Sequence, residues 1–476
     1  MKDKGRGRGE SKSLGAPSPE PRDREREMEA APKATGRRSG AHFVNCPEGD
    51  YEALLAAKVG KLSALIQGST QDTDPPIPSV EVFESPRCNF RMRANFNILH
   101  DKPPLPADFY YAMYDPTVEG KHKPACEITS FPRGTLFLNV LMDRIMSALK
   151  RPEFAVLTSS LFEIRFVCTQ TEQAVIVLLY RRPLPPTWAE LAAQVLDAIN
   201  AGSVRHVIKI VGRSHKVKLV VGGEDDVIEE RYAVTQREQV RHIYLYQTEG
   251  AFSQPNAAVC EKMLSWVCEI TADESWRARD LLELYCGGGT FTAALCDNFR
   301  SVVATEVSKE SVHLAETCFT KNGKTNIKVA RMSSEEFETA MNGTRGGEKG
   351  AEFRRLTEKG INLRKDYDFS TVFVDPPRAG LDPATCKMLC GFDNILYISC
   401  NPETLARDVQ AILATGLYSL ERLAAFDQFP YTHHLESGVF LRKKVSGLGV
   451  IISESGGVLG KRKLESTEEG SDGVGV

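Results

Sequence analysis

The chain has 476 residues, long enough for two or three domains with a substantial core. With 42% hydrophobic and 26% charged residues it has the composition of a globular protein, which excludes wholesale disorder. A net charge of -3 excludes nothing, because a local basic patch on a near-neutral protein is enough to bind a nucleic acid. The 12 cysteines include no C-x-x-C pair, which argues against a zinc ribbon or a disulfide framework and for reduced thiols inside a cell. No run of about 18 apolar residues exists, so no membrane span is predicted.

Taken in chain order, residues 1–45 carry Gly, Ser, Pro and mixed charge with few large apolar side chains, and are predicted to be disordered. The arm is acidic as well as basic and so matches a transit peptide poorly. The expected compartment is the cytoplasm, with nucleus and organelle left open. Residues 46–79 read as a helix and a linker: Leu54, Leu55, Val59, Leu62 and Leu65 recur at helical spacing, then D-P-P-I-P-S follows. Residues 80–240 read as an α+β domain with an antiparallel sheet. Its strands are predicted at Phe90–Leu99, Phe109–Asp115, Leu161–Cys168, Ala174–Arg181 and His206–Val211, and its helices at Leu136–Leu149 and Thr187–Asn200. Basic residues concentrate there: Arg91 and Arg93 beside Phe90 and Phe96, then Arg205, Lys209, Arg213, Lys216 and Lys218.

From 241 to 445 strands and helices alternate, which predicts a doubly wound α/β domain with its ligand at the carboxyl ends of the strands. The predicted strands are Leu281–Tyr285, Val302–Thr305, Ile327–Arg331, Thr371–Val374, Asn394–Ile398, Tyr418–Phe426 and Gly438–Leu441. The charged stretch 342–368 is expected to be an exposed, mobile loop. The tail from 446 to 476 is predicted to be disordered.

L-L-E-L-Y-C-G-G-G-T-F (281–291) is a strand running into a glycine turn and a helix, where backbone N–H groups can approach a ligand. Glu306, ending the second strand, can accept hydrogen bonds from both hydroxyls of an adenosine ribose; it can equally be an acid at a helix start. The turn lacks the third glycine of a dinucleotide site and fits S-adenosylmethionine better, since that cofactor has no pyrophosphate to cradle.

F-V-D-P-P-R (373–378) closes a strand with Asp375 ahead of two prolines, which make a rigid extended turn. In I-L-Y-I-S-C-N-P (395–402), Cys400 ends a strand just before a helix, whose dipole is expected to lower the thiol pKa. Cys286, in the glycine turn, is the rival nucleophile. F-D-Q-F-P-Y-T-H-H-L-E-S-G (426–438) offers Glu436 as a general base, while the adjacent His433 and His434 cannot easily share one metal ion, so no metal is expected. One thiol, one base and one sulfonium are sufficient for methylating carbon 5 of uracil. Cysteine adds to carbon 6, carbon 5 becomes nucleophilic, and the base then removes its proton.

These motifs closely resemble those of the bacterial-type tRNA (uracil-5-)-methyltransferases. The resemblance runs from D-Y-E-A-L-L-A-A-K-V (50–59) to about Leu441 and includes F-R-M-R-A-N-F (90–96), F-S-Q-P-N-A-A (252–258), A-T-E (304–306) and Y-I-S-C-N-P-E-T-L (397–405). It implies a Rossmann-like, S-adenosylmethionine-dependent methyltransferase domain, with a seven-stranded, mostly parallel sheet, behind an N-terminal α+β RNA-binding domain. It implies that Cys400 is the nucleophile, Glu436 the proton acceptor, and Gln254, Tyr285, Glu306 and Asp375 the cofactor contacts. Family members generally have asparagines where this chain has Gly288 and Thr290, so the role of Thr290 is open. The implied substrate is the T-loop uridine at position 54 of tRNA, held in part by Arg91, Arg93 and Phe96 as phosphate and stacking contacts. Relatives acting on ribosomal RNA carry an iron–sulfur cluster on closely spaced N-terminal cysteines; Cys46 and Cys88 stand apart, so no cluster is expected. A tmRNA or ribosomal RNA substrate, or a tRNA-folding factor with secondary methylation, are the alternatives. A monomer is expected.

Overall fold

The computed structural model describes residues 37–444 apart from 48, 70–75, 102–107, 202–205, 343–350 and 364–365. Most of the predicted N-terminal arm, the whole C-terminal tail and Arg205 therefore lie outside the described residues. Two compact units divide the chain. The smaller takes the described part of Met1–Asn45 with Phe96–Phe131, and the larger takes Cys46–Asn95 with the described part of Pro132–Val476.

In the smaller unit Phe109–Tyr114 pairs antiparallel with Ala125–Glu127 on one side and with the end of Arg93–His100 on the other. Arg38–Ser39 adds a short parallel strand to Ala125–Glu127. Phe43 and Val44 are buried, so the end of the predicted disordered arm is folded; two apolar residues among polar ones are enough to anchor it. Phe96 is 0% exposed, its ring packed against Tyr111 and Phe131 at centroid distances of 5.2 and 5.4 Å. This corrects its expected surface role. Residues 93–100 alternate, and Ala94, Phe96 and Ile98 form the inward face.

Within the larger unit, Leu161–Cys168 pairs antiparallel with Ala174–Tyr180. Ala174–Tyr180 runs parallel to Ile208–Ser214, against the expected antiparallel pattern. The intervening helix Trp188–Ile199 makes the crossover that a parallel pair requires. Ile228–Gln236 and Gln239–Gln247 form a separate hairpin that spans the expected boundary at 240.

The elements around the second sheet are numbered here in chain order. They are α1 (Asp50–Gln67), β1 (Val80–Phe83), α2 (Ala257–Ile270), β2 (Asp280–Leu284), α3 (Thr290–Leu295), β3 (Ser301–Glu306) and α4 (Lys309–Lys321). There follow β4 (Ile327–Arg331), α5 (Ser334–Asn342), β5 (Phe369–Val374), α6 (Pro383–Leu389), β6 (Asn394–Ser399), α7 (Pro402–Leu413), β7 (Tyr418–Phe426) and β8 (Glu436–Lys443). The strand order is β4-β3-β2-β5-β6-β8-β7-β1. Strands β4 to β6 are mutually parallel, and β8 enters antiparallel to both β6 and β7. The central strands read as continuous apolar runs because both faces are covered. Leu281, Phe373 and Ile398 join one core with α2, while Leu282, Val372 and Tyr397 join the other with α1 and α7.

Eight strands, not the predicted seven, make this sheet. The eighth is β1, which pairs parallel with β7 from Leu423↔Val80 to Phe426↔Phe83. The stretch 342–368 also differs from expectation: it contains the helix Ala351–Glu358, and Leu356 and Ile361 are buried against the sheet.

Candidate active site

Four parallel strands deliver their last residues to one edge, so Tyr285, Glu306, Asp375 and Cys400 share the carboxyl end of the sheet. Strand β8 runs the opposite way, which brings its first residue, Glu436, to that same edge. Gln254 precedes α2, whose N-cap Asn256 accepts a hydrogen bond from the N–H of Val259.

The glycine turn is built for a close approach. Cys286 N–H donates to the Thr305 carbonyl at 3.0 Å, and Tyr285 adopts a positive φ of 61°, uncommon for a non-glycine residue. The Tyr285 hydroxyl lies 2.7 Å from Ser334 Oγ. Gly289 caps α3 at φ 81°, and a Cβ there would meet the Phe319 ring at 2.6 Å, so only glycine fits. At Gly287 and Gly288 an added Cβ would meet nothing within 4 Å. Glu306 accepts from the N–H groups of Gly287 (3.0 Å) and Ser308 (2.7 Å), one on each carboxylate oxygen. Each oxygen keeps a lone pair for another donor.

Gln254 Oε1, Gln428 Oε1 and Ser437 Oγ are buried without partners, while the buried Glu283 carboxylate has Thr292 beside it as a hydrogen-bond donor. Such orphans are rare unless a ligand or water satisfies them. Gln254 was legible in the sequence motif. Glu283 was not singled out, although an acid inside the apolar strand L-L-E-L was its visible signal. Burial pushes the Glu283 carboxyl up to about 8.

Asp375 follows β5 in the D-P-P-R turn, and that turn is tied to the helix that follows Cys400. Asn401 Nδ2 and Thr404 Oγ1 both donate to the Arg378 carbonyl, at 3.1 and 3.3 Å. Buried Asp408 on α7 accepts from Leu381 N–H (2.9 Å) and from the Tyr397 hydroxyl (2.8 Å). Asn401 caps α7, with Pro402 in its first turn.

Cys400 is half-buried, whereas the rival Cys286 is buried at 6% exposure. Burial comes first in setting the Cys400 thiol, then the charges of Glu436 and Asp375, and together they push it up to about 11. This is opposite to the lowering expected from the helix start. Two carboxylates in a poorly hydrated pocket outweigh the dipole, although Arg378 pulls the other way. Burial and then Asp375 likewise raise Glu436, to about 8. Asp375 itself is raised by burial to about 7.

Beside Cys400 lies a cavity of about 230 Å³ lined by Lys58, Lys61, Arg378, Asn401, His433 and His434 among others. The Arg378 guanidinium meets His434 Nδ1 at 2.8 Å. The expected RNA contacts are less available. Arg93 donates to the Ala251 carbonyl (2.7 Å) and to Ser253 Oγ (2.9 Å), and Arg91 Nε donates to the Arg93 carbonyl (2.9 Å). Lys209, Arg213 and Lys218 pair with Asp225, Glu249 and Asp226. By contrast Phe252, two residues before Gln254, is 73% exposed. Cys46 and Cys88 come within hydrogen-bonding reach of each other. Among the described residues no group of three or more His, Cys, Asp or Glu is placed to hold a metal ion, and no helix is long and apolar enough to cross a membrane.

A doubly wound sheet, a glycine turn with open space above it, a strand-end acid and a strand-end cysteine facing a buried carboxylate define an S-adenosylmethionine-dependent methyltransferase. Residues 50–444 match the family of tRNA (uracil-5-)-methyltransferases, and the chain belongs to that family. A tRNA/tmRNA (uracil-C(5))-methyltransferase of Acinetobacter baumannii (strain AYE) is 41% identical over 394 residues, 83% of this chain and 99% of that protein. One of the same description from Vibrio cholerae is 40% identical over 395 residues, 83% of this chain and 97% of that protein. The crystal structure of Pyrococcus abyssi tRNA (uracil-54, C5)-methyltransferase in complex with S-adenosyl-L-homocysteine shares the fold. Its TM-score is 0.56 at 20% identity, covering 82% of this chain and 83% of that one.

Proposed function

We propose that this enzyme methylates carbon 5 of the T-loop uridine at position 54 of tRNA through a covalent adduct with Cys400. The observation that carries the reading is the placement of Cys400 against Glu436 and Asp375, an acceptor and a nucleophile at one sheet edge. S-adenosylmethionine supplies an electrophilic methyl on a sulfonium when bound. Glu306 would hold the ribose hydroxyls, Tyr285 and Asp375 would line the adenosine and the sulfonium side, and Gln254 would spend its orphaned Oε1 on the cofactor.

Cys400 Sγ adds to carbon 6 of the uracil, and the electron pair displaced into the ring makes carbon 5 nucleophilic enough to take the methyl. Glu436 then accepts the carbon 5 proton, the carbon 5–carbon 6 double bond reforms, and the Cys400 thiolate leaves. A base reacting this way must leave its stack, and the exposed ring of Phe252 suits stacking on a neighbour or filling the gap. The names of the Acinetobacter and Vibrio relatives make the T-arm of tmRNA the second reading. All twelve cysteines are free, which suits the cytoplasm. We further propose that the enzyme works as a monomer.

The test is T-arm RNA carrying 5-fluorouridine at the target position, mixed with enzyme and cofactor and run on a denaturing gel. Fluorine cannot leave as a proton does, so a cofactor-dependent adduct is expected, and it is expected to vanish in Cys400→Ala. Methyl transfer with no adduct would overturn the mechanism. Tight T-arm binding with neither would favour a folding factor.

A further inference from the structure

Helix α1 stands far from the reacting residues in sequence, yet it touches the supports of both. Lys58 is 7% exposed. Its ammonium pairs with Asp427 and donates to the carbonyls of Phe429 and His434, each at 3.2 Å. These acceptors are the first, third and eighth residues of loop 427–435, which connects β7 to Glu436 at the head of β8. An ammonium has three donors, and all three are directed at this one loop.

About one turn further along α1, Lys61 pairs with Glu403 in the first turn of α7, the helix that begins just after Cys400. Leu62 and Ile66 are fully buried in the same core as Leu405 and Val409 of α7, and Ser69 Oγ donates to the Ala406 carbonyl at 3.1 Å. Tyr51, two turns before Lys58, accepts from Ser85 N–H at 2.8 Å and presents its ring edge to Tyr431 of the loop at 6.1 Å. Lys58 also lines the cavity beside Cys400.

Packing alone does not call for a buried ammonium here. Desolvating it is costly, and an apolar side chain would seat the helix as well. What the charge adds is a fixed path for a loop that has no regular structure of its own.

We propose that Lys58 is a positioning residue for proton removal: it holds loop 427–435 so that Glu436 faces Cys400 and carbon 5 of the bound base. This rests on the reading of Glu436 as the base. The test uses full-length Lys58→Met, Lys58→Arg and Glu436→Gln enzymes with T-arm RNA and labelled cofactor. Single-turnover methyl incorporation, survival of the protein–RNA adduct on a denaturing gel, and the KM for RNA are measured.

Lys58→Met is expected to transfer methyl in the first turnover while its adduct persists, release slowing by at least about tenfold as in Glu436→Gln. The KM for RNA is expected to stay put, and Lys58→Arg to recover part of the release rate. Normal release by Lys58→Met, with adduct accumulating in Glu436→Gln, overturns the proposal and leaves the base reading intact. Normal release by both overturns the base reading as well. Should Lys58→Met fail to fold, the double variant Lys58→Met/Asp427→Leu removes both buried charges together. Slow release is again expected, and rapid release by the double variant overturns the proposal.

Discussion

Cys400 and Glu436 stand one step beyond a paired rung of the ladder: Ser399 of β6 faces Ser437 of β8, so the chain leaves at the thiol where it enters at the carboxylate. Burial first, and then the Glu436 and Asp375 carboxylates, raise the cost of charging the thiol. Burial and mutual negative charge thus oppose ionisation of both groups, while Arg378 favours it.

Glu436→Gln keeps the shape of the side chain and removes its basicity. Steady-state kcat is expected to fall by about a hundredfold or more, the range of a lost general base. Because cysteine addition precedes proton removal, methyl incorporation in the first turnover should survive. Loss of that first turnover would assign Glu436 to an earlier step.

Activity should climb with pH. A carboxyl raised to about 8 is protonated below that value and able to accept a proton only above it, and the thiol, near 11, adds in the same direction. The kcat/KM for RNA is thus expected to rise through pH 7 to 9. Arg378 lowers both groups, so Arg378→Met should move the rising limb to higher pH, modestly because the guanidinium is exposed. A limb that stays in place would remove Arg378 from the electrostatics of the site.

Glu283 affects stability rather than rate. Burial holds its carboxyl at about 8, well above the ordinary glutamate range, so the folded state binds more protons between those limits. Stability is then greatest at low pH and is lost as pH rises through the window up to about 8. Glu283→Gln should raise the melting temperature of the free enzyme at pH 8 and change it little at pH 5. Equal shifts at both values would contradict a buried, ionising Glu283.

Phe252 and Phe96 separate binding from folding. Stacking on a base is worth about 1–3 kcal/mol, so Phe252→Ala should weaken T-arm binding by about fivefold to a hundredfold at unchanged melting temperature. Phe96→Ala empties a fully buried site and should cost about 3–5 kcal/mol of stability. RNA affinity measured by titration and thermal unfolding together distinguish the two. A Phe252 variant that binds normally would leave the exposed ring without a role.

That these residues share one sheet edge is legible because they lie in short motifs, each at a strand end, and strand ends in a parallel sheet meet. Asp375, Cys400 and Glu436 are of this kind. What could not be read depended on partners remote in sequence. V-E-V-F at 80–83 is too short to announce a strand, and its partner is β7, near the end of the chain. The direction of the Cys400 shift needed two acids brought in from other strands, while the sequence displayed only the helix that follows. Phe96 differs from expectation for a more local reason. The arginines beside it drew attention, yet its place in an alternating strand with Ala94 and Ile98 already pointed inward.

The pairing of β1 with β7 also has a timetable. Val80 leaves the ribosome long before Leu423, and at about 5–20 residues per second the wait is roughly twenty seconds to over a minute. Throughout that interval Val80–Phe83 has no strand partner, and the face of α1 with Leu62 and Ile66 lacks the α7 residues Leu405 and Val409 until most of it has passed. Only then can Val80–Phe83 close on Leu423–Phe426, and Glu436, later still in the chain, reaches the sheet edge after every other residue of the site.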